Sequence, residues 1–491
     1  MRKIVHQQLN LGEISISDIK IDLKSRDDIP QVLMGLQYIY DTPELRKKVF
    51  SVLEKILPKK INKENGRPGM ELWRIFVLGI LRVNLNWDYD RLCEMANQHK
   101  NIRQMLGHGG FDEDFMYTRR TIINNVSLFR PEVLDEINQI VVKAGHGLVK
   151  KKEEKLKGKC DSFVVETDVH YPTDINLLFD ASRKLIQLIA ALCDKYNVSG
   201  WRQYQYNVRQ IKRAFRKAQQ SKRSKSKDET KSNKIIAESH KSYIDLANYF
   251  IGKVVASMDF LRQEYDNKEL LLEIELLTLN KFIEHANRQI DQINRRVIKG
   301  ESIPHQEKVF SIFEEHTEWI SKGKQGVPVE LGLKVCLLSD QYNFILHHRV
   351  MQKETDNQVA EPMVQEAQNK FSDLNGSSFD KGFYSPLNQE NLSNILDLVV
   401  LPKKGYLSIE RKAIEETDEF KKYKRKHSAV ESDINAIEVH GLDRCLDHGL
   451  DGFERYVALA VTARNIQQVG VIMKKRKLKK QNRKPQIKNT S

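Results

Sequence analysis

Apolar positions recur with helical spacing from Gln31 to about Gly147, after an irregular lead over residues 1–30. The stretch "MELWRIFVLGILRV" is apolar nearly all round, so it is expected to be the buried helix of this region. "DYDRLCEMANQHKNIRQMLG" follows, with Asp88 as an N-cap and Gly107 as a stop. "RPEVLDEINQIVVKAGHG" opens at Pro131 and closes at Gly145. The block, residues 1–150, has the size of an all-helical domain. It suits a helix-turn-helix and a scaffold without base contacts equally well.

A charged connector, "KKKEEKLKGKC", precedes a change of period, and "SFVVETDVHYPTD" reads as a strand of about eight residues with Asp168 near its end. The pattern from 175 to 302 is helical again. Within it, "QQSKRSKSKDETKSNK" is too polar to pack and reads as an exposed loop. Leu272, Leu276, Leu279, Ile283, Ala286, Ile290, Ile293 and Val297 form a heptad seam, and a helical hairpin folded on itself is favoured over an intermolecular coiled coil.

Strand signals return after Ile303 in "KVFSIF", "VELGLKVCLLSD" and "FILHHRVM", the last two as an antiparallel pair. A helix at "NQVAEPMVQEAQNKF", a short strand up to Asp380, a helix from Pro386, the strand "LDLVVLPK" and a final helical region complete the chain. The basic end, residues 473–491, is expected to be disordered. With the helical block and "KVFSIF" set aside, the order is three strands and then alternating helices and strands. That describes a mixed α/β sheet, and it is also the order of a ribonuclease H-like core with a helical insertion after its first strand.

Composition narrows the partners. With 81 Lys+Arg against 66 Asp+Glu the formal net charge is +15, which favours a polyanion, nucleic acid first and an anionic membrane surface second. No apolar run approaches the roughly 20 residues of a membrane-spanning helix, and the N-terminus shows no signal peptide. Five scattered cysteines without a CxxC pair argue against a zinc site or a disulfide framework and read as reduced thiols of a cytoplasmic protein.

Three carboxylates stand where such a fold brings acids together: Asp168 on the first strand, Asp380 at the tip of the fourth and Glu431 on the helix after the fifth. Taken singly, each is more often a cap or a surface acid. Asp340, in the turn-like "SDQYN", reads as structural.

The segments "VVETDVHYPTDINLLFDA", "SSFDKGFYSPLNQENL" and "RKHSAVESDINAIEVHGLDRC" resemble the three signature regions of bacterial insertion-sequence transposases of the DDE class, the ISNCY group above all. The resemblance extends from about residue 65 to 472. It implies a ribonuclease H-like catalytic domain over 160–472 with the insertion at 175–302. It also implies Asp168, Asp380 and Glu431 as catalytic acids and ligands of two Mg²⁺ ions, with Mn²⁺ as a substitute. The activity implied is cleavage at transposon ends followed by strand transfer into target DNA. A decayed or regulatory DNA-binding protein and a metal-dependent nuclease of the same fold are the alternatives.

Around the third acid the chain departs from the pattern Y-x2-R-x3-E-x6-K: Lys424 stands at the Tyr position with Tyr423 beside it, His427 at the Arg position and Glu438 at the Lys position. Glu438 and Asp433 therefore compete with Glu431. Phosphate contacts are expected from Lys322 and Lys324, Lys403 and Lys404, and Lys424, Arg425 and His427, with Arg119 and Arg120 contributing to end recognition by the N-terminal helices. The partners implied are terminal repeats, target DNA and at least one further copy of the chain, in a nucleoid-associated protein.

Overall fold

The change of period after the N-terminal helices comes earlier than the sequence suggests. In the computed structural model, which describes residues 2–5, 12–57, 69–112, 114–223, 228–265, 270–321 and 328–483, the first strand begins inside the charged connector. Before it come α1 (Ile29–Asp41), α2 (Pro43–Leu53), α3 (Leu72–Asn84), α4 (Tyr89–Gln98), α5 (Lys100–Met105), α6 (Arg119–Val126) and α7 (Pro131–Val149). Then β1 runs from Leu156 to Thr167. The helices α8 (Asp174–Lys195), α9 (Tyr204–Ser221), α10 (Glu229–Glu264) and α11 (Leu270–Ile293) follow. The remainder is β2 (Glu318–Ser321), β3 (Val329–Ser339), β4 (Ile345–Met351), α12 (Asp356–Lys370), β5 (Leu374–Phe379), α13 (Pro386–Ile395) and β6 (Leu398–Val400), then α14 (Ile409–Glu415), α15 (Asp418–His427), α16 (Ala429–Ile437), β7 (Arg444–Cys445) and α17 (Leu450–Arg483).

The chain divides into two units, one of residues 1–168 with 318–491 and one of residues 169–317. In the first, β3 lies antiparallel to β1 along one edge, while β5 and then β7 lie parallel to the other edge, end to end. The outer edge of β3 takes β4 and, beyond it, β2, both antiparallel. β6 closes the far side, parallel to β5. The fold is therefore mixed α/β with a mixed seven-stranded sheet among the described residues.

The N-terminal helices do not stand apart as a domain ending near residue 150. They share one continuous core with the sheet, because α17 presents Phe453, Val457, Leu459, Val461 and Ile466, all essentially buried, and packs on α1, α3 and α7. α3 is buried along its whole length, as its all-round apolar pattern requires. Contact between α1 and α17 is close enough to need glycine: a methyl group at Gly35 would overlap the Ile466 carbonyl, and one at Gly470 the Gln31 carbonyl.

The second unit matches the expected helical block and extends it to residue 317. Its seam is intramolecular: Leu272, Leu276, Leu279, Ala286 and Ile293 are buried, and α11 packs on α8 and α10. The polar stretch after Ser221 is a shorter break than expected, since α10 begins at Glu229 with Asp228 as its N-cap. Two further expectations change. "KVFSIF" forms bends rather than a strand, and residues 473–483 of the basic tail are helical, as Lys- and Arg-rich sequence can be when it continues an anchored helix, while residues 484–491 lie outside the described residues. No helix among the described residues is long and apolar enough to cross a membrane.

Candidate functional site

Register places two acids side by side. Cys160 of β1 pairs with Phe379 of β5, so the next residues along the two parallel strands are Asp161 and Asp380. Neighbouring strands lie about 4.8 Å apart and register partners point to the same face. Asp380 is exposed just past the end of β5 and precedes the short helical turn Lys381–Phe383, whose Phe383 is buried against Phe379.

The face they share is the one covered by α15 and α16. Lys159, two residues before Asp161 and hence on its face, pairs through Nζ with Asp433 Oδ2 of α16 at 2.7 Å. Ser378, two residues before Asp380, meets His427 Nδ1 of α15 at 3.0 Å. Glu431 lies in the first turn of α16, on an exposed position. Of its two competitors, Asp433 is occupied by Lys159 and by Ser339 Oγ at 2.8 Å. Glu438 lies a helix end further on.

Electrostatics single out Asp161. Burial pushes its carboxyl up to about 6, the Ser162 backbone N–H opposes this, and the negative charges of Asp380, Asp356 and Glu431 push it further up. Asp356 reaches it from the other face of the sheet, where it accepts from Ser162 Oγ at 2.7 Å and pairs with Lys334 at 3.1 Å. A half-buried carboxyl that feels three other acids is a place where positive charge is wanted.

Asp168 does not belong to this group. It lies seven residues beyond Asp161, about 23 Å along the strand. Its side chain is exposed, with Arg444 Nη1 3.7 Å away, and β7 rather than β5 is its neighbour. The short strand expected from Ser162 onward is the cause. It leaves Asp161 outside the sheet and puts the acid at the other end forward. The signal for the longer strand is alternation: Leu156, Gly158 and Cys160 interleave with Lys157, Lys159 and Asp161 at period two. Glu166, also at that distal end, pairs with Arg444.

His427 is not the cation that the resemblance puts at its position. Burial holds its imidazole down at about 4, with Lys159 adding to the shift and Asp380 opposing it, so it is neutral near pH 7. Lys424 leans toward Glu415 at 3.9 Å, whereas Arg425 and Lys404 are exposed and the Lys403 side chain is half-buried. Arg119, the first residue of α6, pairs with Asp90 at 3.2 Å beside an exposed Arg120. Lys322 and Lys324 lie outside the described residues. Asp340 is structural: fully buried, it accepts from the Tyr342 and Phe344 amides and meets His146 Nε2 at 2.6 Å.

Among the described residues, no group of three or more His, Cys, Asp or Glu is gathered tightly enough to hold a metal ion as it stands. The donor set of Asp161, Asp380 and Glu431 nevertheless suits a hard divalent cation, being all oxygen and carrying unneutralised charge. In comparison with known proteins, the chain matches no family model, no curated protein and no solved structure.

Proposed function

We propose that the chain is a metal-dependent polynucleotidyl transferase of the DDE transposase class, with Asp161, Asp380 and Glu431 as its acids. The observation that carries the reading is the adjacency of Asp161 and Asp380 on neighbouring parallel strands, with Glu431 on the helix above that face. The strand order β4-β3-β1-β5-β6 supports a ribonuclease H-like core, in which acids at these places converge. The net charge of +15 supports a polyanionic substrate.

Mg²⁺ or Mn²⁺ held by these acids would neutralise the phosphate and acidify the attacking hydroxyl. The chain's own contribution is positional. Asp161 is fixed in mid-strand, Asp380 is freed from the sheet by the turn that follows it, and Glu431 is set by the anchoring of α16 through Asp433. Lys404 and Arg425, both exposed, offer sequence-independent phosphate contacts.

Full-length chain incubated with Mg²⁺ or Mn²⁺ and DNA carrying the sequence that flanks its gene should cut at defined ends and join them to target DNA. Asp161→Asn and Asp380→Asn should each lower cutting about a thousand-fold, the equivalent of roughly 4 kcal/mol. Asp168→Asn should stay within about two-fold of the parent, since a surface acid far from the chemistry has little effect. The opposite pattern, with Asp168 essential and Asp161 dispensable, would move the site to the other end of β1.

A further inference from the structure

Beside the acids lies a cavity of about 390 Å³, large enough for a small ligand, whose lining carries four lysines and one tyrosine against a single carboxylate, Glu154. Lys155, Lys157 and Lys159 of the β1 approach, Lys426 and Tyr423 of α15 and Ser378 of β5 form its walls. Lys159 is already matched by Asp433. Among the described residues no ion pair joins Lys155, Lys157 or Lys426 to a carboxylate. Instead, Lys157 Nζ lies 4.7 Å and Lys426 Nζ 5.1 Å from the centre of the Tyr423 ring.

An ammonium held over a half-buried ring gains only about 0.5–2 kcal/mol. A phosphate gives it a shorter, charge-assisted hydrogen bond. An anion entering the cavity would therefore draw these two lysines off the ring, with only the more distant Lys422 Nζ, 5.9 Å from its centre, left over it and the cavity side free for a flat apolar group. Position supplies the rest. Lys159 and Ser378 are register partners on the cavity wall, and Asp161 and Asp380 stand two residues beyond them on the same two strands. That offset is about 7 Å, the reach of one nucleotide in an extended strand.

We propose that this cavity is a nucleotide subsite: it takes the nucleotide next to the scissile phosphate, stacking its base on Tyr423 and holding its phosphate with Lys157 and Lys426. The assignment of the acids to phosphodiester chemistry, on which this rests, is separable from it by experiment. Binding of thymidine 5′-monophosphate, thymidine and inorganic phosphate to the full-length chain in EDTA would be read by displacement of a fluorescein-labelled oligothymidylate.

The monophosphate is expected to compete at least about ten-fold better than either thymidine or phosphate, because stacking and charge act together. Tyr423→Ala should weaken it about ten-fold and Tyr423→Phe should not. Lys157→Ala and Lys426→Ala should each reduce the salt dependence of oligothymidylate binding by about 0.7 in the log–log slope. Thermal melts of each variant identify any that fails to fold, with Tyr423→Phe as the folded reference for the ring. Competition by inorganic phosphate equal to that by the monophosphate, or unchanged binding in folded Tyr423→Ala, would overturn the subsite. Asp161→Asn should retain monophosphate binding while losing cutting. If the parent binds the monophosphate but cuts no DNA, the subsite stands and the transferase reading falls.

Discussion

Lys159 Nζ lies 2.7 Å from Asp433 Oδ2, and Ser339 Oγ donates to the same oxygen at 2.8 Å. The pair ties the first turns of α16 to the middle strands of the sheet, and Glu431, two residues before Asp433, is positioned through it. Both side chains are largely covered, so removing one partner leaves the other charged and unsolvated. Asp433→Ala should cost about 3 kcal/mol in urea denaturation. The double variant Lys159→Met/Asp433→Leu should recover most of it, because two apolar groups leave no stranded charge. Equal stability of the single and double variants would mean that the pair does not hold the helix.

The close approach of α1 to α17 makes the N-terminal helices part of the same cooperative unit as the sheet. Gly470→Ala should force its methyl into the Gln31 carbonyl, where backbone rather than a flexible side chain must give way. Overpacking of this kind costs about 1–3 kcal/mol. The loss should appear as one shifted transition of the first unit, followed both by tryptophan fluorescence, to which Trp73 of α3 contributes, and by far-ultraviolet circular dichroism. A transition of the N-terminal helices apart from those of the sheet and of residues 169–317 would point instead to an independently folding N-terminal domain.

Much of this architecture is legible in period and punctuation. The heptad seam of α11, the antiparallel pair β3–β4 around "SDQYN" and the strand that delivers Asp380 all declare themselves locally. What fails to declare itself depends on partners distant in sequence. Lys157, Lys159 and Asp161 look like connector residues until Tyr423 and Asp433, more than 250 residues on, are seen to receive the two lysines. "KVFSIF" has strand composition yet is irregular, with Ile312 buried in the helical unit's core. β2 is only four residues long and is defined by its pairing with β3 rather than by any pattern of its own. Asp161 and Asp168 differ in the same way: a strand end is visible at Asp168, but the pairing with β5 that sets Asp161 beside Asp380 is not.

Two further buried histidines act with His427 on the acid limb of the stability curve. Burial, followed by Arg74 and Arg103, lowers His108 to about 4 against the pull of Asp112. Burial, followed by His347 and Lys370, lowers His348 to about 3. In the unfolded chain both titrate near 6.5. Below that value the unfolded state binds protons that the folded state refuses, so their contribution is complete above about pH 6.5 and declines toward pH 4 and pH 3. Asp161 acts in the opposite sense between its ordinary 3.8 and about 6, because its folded form is the better proton acceptor. Three histidines, His427 included, against one acid should leave a net fall in the urea midpoint between pH 7 and pH 5. His108→Gln, which can keep a hydrogen bond to the Tyr117 hydroxyl, should shrink that fall.

Asp161 is held at a cost to the apo protein, since its carboxylate is partly desolvated and faces Asp380, Asp356 and Glu431. Asp161→Asn removes that repulsion with little change of shape, so the variant in EDTA should melt at the same temperature as the parent or higher. Divalent cation should reverse the ranking. A ligand at a hundred times its dissociation constant stabilises the folded state by about 2.7 kcal/mol, and the parent should gain an upward shift with Mg²⁺ that Ca²⁺ reproduces without turnover. Asp161→Asn should lose most of that shift, whereas Asp168→Asn should keep it. Scanning calorimetry in EDTA and in Mg²⁺ separates the two carboxylates without any DNA substrate. An equal Mg²⁺ response in the parent and Asp161→Asn would remove this carboxylate from the ligand set.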